Sequence, residues 1–165
     1  MKSNIAKMTT GTILVVLTML TLTFWASAQD DPNNKNGGGR IEGTWDAQVT
    51  VRDCQTGAVI GTFASIGTFM TGGTFLDSTS GIPQALKTPG HGVWSHVSGS
   101  TYQFAFKSFS FDPLGNPTGW TIIRHEANLN QEADDYESAG TAEIYAPNGN
   151  LNLTLCSTSV ATRFR

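Results

Sequence analysis

Charge is scarce in this 165-residue chain. Only 14% of its residues are Asp, Glu, Lys or Arg, with 10 basic against 13 acidic and a formal net charge of −3. No Lys/Arg cluster stands anywhere, so the electrostatic footprint of a nucleic-acid binder is missing, as is a polybasic membrane patch. Cysteine is limited to 2 residues, a whole domain apart, and histidine to 3. Thiolate metal clusters need more ligands at closer spacing. His91, His96 and His125 form neither a His-x-His nor a His-Glu-x-x-His pattern. We therefore expect no metal and no cofactor. Serines are plentiful, but none sits in a Gly-x-Ser-x-Gly elbow, and we assign no catalytic residue. Glu126, Glu132, Asp134, Asp135 and Glu137 crowd one turn without the central Gly and alternating ligands of a calcium loop, so they read as a solvated acidic turn. With 39% hydrophobic and 10% aromatic residues, the chain is not disordered by composition. Its length suits one domain.

What is present first concerns the address. Lys2 and Lys7 form a short basic start, an apolar run spans Ile13 to Trp25, and Ala26-Ser27-Ala28 is a small-x-small site. This three-part pattern predicts a secretory signal peptide over 1–28, cleaved after Ala28. The run is short of the roughly 20 residues a membrane span needs. Residues 29–42, polar and carrying a Gly triplet, read as a flexible linker. A single domain is expected over 43–165, in the periplasm or secreted.

That domain reads as all-β. Trp45, Ala47, Val49 and Val51 alternate with Thr44, Asp46, Gln48 and Thr50, the pattern of a strand with one buried and one wet face. Further strands are predicted over 59–70, 74–78, 92–97, 101–111, 119–130, 136–146 and 151–164, with turn signals at Gly72-Gly73, Ser98-Gly99 and Asn148-Gly149. The exception to short turns is a Pro-containing loop over 80–90. Eight consecutive antiparallel strands suggest an up-and-down barrel. Phe104 and Phe106 have the opposite parity to Phe109 and Phe111; a bulge near Lys107-Ser108 would bring all four to one side. A membrane barrel needs an apolar outer band, whereas Asp46, Gln48 and Arg52 face outward here, so no membrane insertion is expected.

Closure places the first strand beside the last. Pairing Cys54 with Cys156 sets Trp45 opposite Arg165, with Arg163 one diagonal step away, and the parity sends both arginines inward onto the indole. An exported chain with two cysteines is expected to form the Cys54–Cys156 disulfide.

Gly43-Thr44-Trp45 opening the first strand of such a meander resembles the Gly-x-Trp signature of the lipocalin and calycin superfamily. The resemblance implies that Trp45 closes the barrel floor against a basic residue of the last strand, Arg163 or Arg165. The chain departs from the family in lacking a short helix before the first strand and an evident one after the last. It also resembles small exported bacterial β-barrel proteins in its segments Gly43-Thr44-Trp45, Arg52-Asp53-Cys54 and Gly90-His91-Gly92-Val93-Trp94.

Many positions of inward parity are small, among them Ala47, Ser138, Gly140, Ala142, Ser157, Ser159 and Ala161, which leaves room for one small ligand. The expected function is a monomeric carrier of a small apolar molecule, bound by Trp94, His96, Phe104, Phe106, His125 and Tyr136. One alternative is a barrel cyclase or isomerase using His96 or His125; another is an interaction module with a filled barrel. Mass spectrometry of the exported protein should find Gln29 as the first residue and a mass about two hydrogens below that of the reduced chain.

Overall fold

The computed structural model describes residues 40–165; the expected signal peptide and residues 29–39 of the expected linker lie outside the described residues. Eight strands follow one another: β1 Gly43–Arg52, β2 Val59–Met70, β3 Thr74–Thr79, β4 Gly90–Ser98, β5 Thr101–Phe111, β6 Pro117–Leu129, β7 Asp135–Tyr145 and β8 Leu151–Arg163. Each pairs antiparallel with its chain neighbours, and β8 returns to β1, so the sheet closes into a barrel. Among the described residues there is no α-helix, and one 3-10 turn, Gln84–Leu86, lies within the long β3–β4 loop. Alternation along each strand supplies the interior, and short turns supply the order.

One end of the barrel is filled. Trp45 on β1, Phe69 on β2, Trp94 on β4, Tyr102 on β5, Leu129 on β6 and Tyr136 on β7 are all buried there. Their rings meet mostly edge to face, with Trp45 5.0 Å from Tyr136 and Phe69 5.5 Å from Phe104, the arrangement aromatic quadrupoles favour. Arg163 covers this floor from outside, its guanidinium 4.3 Å from the Trp45 ring. Its Nε donates to Ala133 O at 2.8 Å, Nη1 to Glu42 O at 2.6 Å and Nη2 to Arg40 O at 2.7 Å. Arg40 to Glu42, assigned to the linker from sequence, are thus docked: Ile41 is fully buried and its carbonyl accepts from Trp45 Nε1 at 2.8 Å. The signal that was missed is one apolar residue, Ile41, ahead of the first strand. Gly43 has φ +123, and a Cβ there would come within 2.7 Å of Arg163 Nη1, so glycine is required where the chain passes under the guanidinium.

The β1–β8 register corrects the expected one by two residues. Trp45 faces Arg163 and Arg52 faces Cys156. Arg165 lies past the strand end, largely exposed and 4.0 Å from Asp134, and does not reach the indole. An even shift preserves which face each residue shows, and the Cys54–Cys156 disulfide still forms from a position just beyond β1. It joins the two strands at the end opposite the floor.

No bulge occurs at Lys107-Ser108. The β5–β6 register runs unbroken from Thr101↔Asn128 to Ser110↔Gly119 and shifts only at Ser110/Phe111. Phe104, Phe106 and Ser108 therefore share the inner face, while Phe109 is half exposed beneath Lys107, whose Nζ is 5.0 Å from its ring. Three of the four register shifts among the described strands, at Val51/Arg52, Ser110/Phe111 and Ile144/Tyr145, fall at the unfilled end, and the fourth, at His96/Ser98, falls beside the β4–β5 turn at the filled end.

Arg163→Ala removes three charged hydrogen bonds and the contact with the indole. It should lower unfolding free energy by about 2–4 kcal/mol in urea denaturation, while Arg165→Ala should change it by less than about 0.5 kcal/mol.

Candidate functional site

Above the floor the barrel is not filled. A cavity of about 200 Å³ runs from Tyr136 and Phe75 towards the rim. Its apolar wall comprises Phe63, Phe75, Phe104 and Phe106 on one side and Val49, Ile123, Ala142, Ile144 and Leu155 elsewhere. The room exists because residues of inward parity on β1, β7 and β8 are small. Ala47, Ala142, Ser157 and Ser159 line the cavity together with Phe75 of β3 and Phe104 and Phe106 of β5. Gly140 is required to be small: a Cβ there would lie 1.9 Å from Arg124 O and 2.5 Å from the His125 ring.

Polar groups in the cavity form two sets. The first is a relay on β6, β7 and β8. His125 is buried, with Nδ1 2.8 Å from Ser138 Oγ and Nε2 2.7 Å from Ser157 Oγ. Ser138 Oγ is in turn 2.6 Å from Ser159 Oγ, and Ser159 and Tyr136 both line the cavity. Register puts these side by side, since His125 pairs with Gly140 and Ser138 with Ser159. Burial without a countercharge holds the His125 imidazole down at about 4, so it is neutral at ordinary pH. Burial, with Asp77 adding to it, pushes the Tyr136 phenol far up.

The second set lies on the opposite wall. Asp77 on β3 accepts from Ser65 Oγ and faces Lys87 Nζ at 3.6 Å, both charged side chains being about nine-tenths buried. Burial raises the Asp77 carboxyl, partly offset by Ser65 and the lysine charge. Lys87 comes from the β3–β4 loop, which pairs with β5 through a Lys87↔Ser110 bridge and the bond from Thr88 N to Phe109 O at 3.0 Å. Ser108 on β5 is 1% exposed, and its Oγ has no hydrogen-bond partner among the described residues.

Of the six residues proposed from sequence to bind a ligand, Phe104, Phe106, His125 and Tyr136 line this cavity. Trp94 and His96 do not. Trp94 packs in the floor with Nε1 donating to Met70 O at 2.8 Å, and His96 bonds Gly99 O at 3.0 Å across the β4–β5 turn. Their parity is inward, but they sit too near the sealed end. Asp77, Lys87 and Ser108 were missed. Asp77 and Ser108 are legible in hindsight, because Phe75-x-Asp77-x-Thr79 and Phe104-x-Phe106-x-Ser108 each continue one alternation. Lys87 carries no periodic signal, being in a loop. Comparison of the chain with known protein families and with curated proteins returns no match.

The His125 environment predicts a pH dependence. Its folded-state value lies below the 6.5 of an unperturbed imidazole, so the unfolded chain takes up the proton first as pH falls. Stability should be complete above pH ~6.5 and decline by up to about 3 kcal/mol towards pH ~4. Asp77, shifted upward, acts in the opposite sense. In His125→Gln the decline should disappear, and the difference between the two unfolding-versus-pH curves isolates the imidazole.

Proposed function

We propose that this chain is an exported, calycin-like barrel protein that binds one small, mostly apolar molecule in its interior. The carrying observation is the cavity: about 200 Å³, aromatic and aliphatic over most of its wall, sealed at the Trp45 end and reaching a rim where Ile82 is 42% exposed. Pockets for drug-sized ligands run to about 300–1,000 Å³, so the occupant is smaller. The Trp45–Arg163 contact behind Gly43-Thr44-Trp45 supports lipocalin-like kinship. Periplasmic or secreted placement is supported by the signal-peptide pattern and by the disulfide, a bond that persists in oxidising compartments.

The cyclase or isomerase reading finds less support. A general base must reach a substrate proton near neutral pH. Both His125 nitrogens are engaged by serine hydroxyls, and the imidazole protonates only near pH 4. His96 lies outside the cavity lining. The filled-barrel module fits poorly with the open interior.

A panel of small aromatic and aliphatic compounds should raise the melting temperature of the purified protein, and native mass spectrometry should show one bound molecule per chain. Ala142→Phe, which places a ring in the cavity, should weaken binding at least ten-fold while the far-ultraviolet spectrum stays that of the parent. Binding that survives this substitution would move the ligand elsewhere.

A further inference from the structure

The polar groups of the cavity are unequal in what they still need. The relay of Ser159, Ser138, His125 and Ser157 is linked within itself. Asp77 has Ser65 and Lys87, and Thr79 Oγ1 donates to Ala64 O at 3.3 Å. Two capacities remain. Ser108 Oγ is buried without a partner among the described residues, a state that costs free energy unless something supplies the bond. The Lys87 ammonium has three N–H groups; the Thr88 carbonyl takes one at 3.3 Å and Asp77 faces another at 3.6 Å.

These two capacities are neighbours. Lys87 bridges to Ser110, and Ser108 is the next residue of the same face on β5, one diagonal step away. Since His91 pairs with Lys107, one step along that register brings Ser108 level with Gly90, whose other neighbour is Asp77. Gly90 contributes no side chain, and the Phe106 ring lies over it, 2.4 Å from where a Cβ would stand. From this point the inner face of β5 continues through Phe106 and Phe104 towards the floor, and is apolar throughout.

Resting on the reading of the cavity as a ligand site, we infer that Ser108 and Lys87 form an anchor for a single oxygen acceptor on a neutral, otherwise apolar ligand, whose apolar body lies deeper against Phe104, Phe106 and Phe75. A carbonyl oxygen has two lone pairs and can take one donor from β5 and one from the β3–β4 loop beside it. A carboxylate fits less well. The Lys87 charge is already opposed by Asp77, and a second carboxylate would sit beside the first in a desolvated wall.

The test uses three probes of similar size and different head: acetophenone, isopropylbenzene and benzoate, titrated calorimetrically into the wild-type protein and into Ser108→Ala. The ratio of acetophenone to isopropylbenzene affinity should fall about five-fold in Ser108→Ala, the worth of one hydrogen bond. The unliganded variant should melt no lower than the parent, because an unpaired hydroxyl has been removed. An unchanged ratio with both compounds still bound would overturn the anchor and leave the cavity reading standing. So would tighter binding of benzoate than of acetophenone to the wild type. A variant melting several degrees lower would show that the hydroxyl holds the fold instead. Failure of all three probes to bind the wild type would overturn the cavity reading itself, and the anchor with it.

Discussion

The planar guanidinium of Arg163 lying over the Trp45 indole is the contact on which the rest of the barrel depends. A meander of eight strands has two free edges, each a row of unpaired amides and carbonyls, until the first and last strands meet. Those strands are the most distant in sequence, so their pairing carries the largest loop-closure cost. Arg163 fixes that pairing in one register by binding three carbonyls from two other places in the chain, Arg40 and Glu42 before β1 and Ala133 in the β6–β7 turn. Ala133 is held at φ 58, an uncommon conformation for a residue with a side chain, at the point where its carbonyl receives the Arg163 Nε. At the far end of the same seam the Cys54–Cys156 bond closes a sequence separation of 102 residues. In the chain-entropy model, a cross-link over about 100 residues is worth about 4–5 kcal/mol. Non-covalent closure at the floor and covalent closure at the rim leave the interior free of the task of holding the barrel together.

That freedom is visible in the side chains the interior uses. Large rings are concentrated at the floor and along β3 and β5, while β7 and β8 present Ser, Gly and Ala. A barrel of this strand number is just wide enough for side chains to fill it, so a one-sided distribution of bulk leaves a void on the side of the small residues. Burying serines and a histidine there is tolerable only because they satisfy one another; an unpaired buried hydroxyl or imidazole nitrogen would cost about 1–3 kcal/mol. The polar groups on the β6–β8 side of this mostly apolar wall are consequently engaged with one another, with Asp77, Lys87 and Ser108 set apart from that network.

Legibility followed the range of the signal. Strand existence and order could be read locally, because alternation and Gly or Asn-Gly turns are written within a few residues; β2 and β5 were placed to the residue. Inward facing was readable for the same reason, as with His125, Ser138, Ser157 and Ser159. The errors lie where two distant segments must agree. The β1–β8 register was off by two because pairing the cysteines directly opposite one another is not required of a disulfide, which also forms from a position just beyond a strand end. Ile41 was assigned to the linker because nothing near it signals that a floor exists to receive it.

By itself, the amino-acid sequence determined that this chain is all-β, that eight strands follow one another antiparallel, and which face of each strand turns inward. Those properties come from backbone sterics and from a side-chain period of two, both short-range. Only the tertiary structure decided which inward residues line open space and which plug the floor, that Arg163 rather than Arg165 meets Trp45, and that a loop lysine is carried in beside Asp77. These depend on depth along the barrel axis and on register between strands far apart in the chain, quantities that exist only once the sheet has closed.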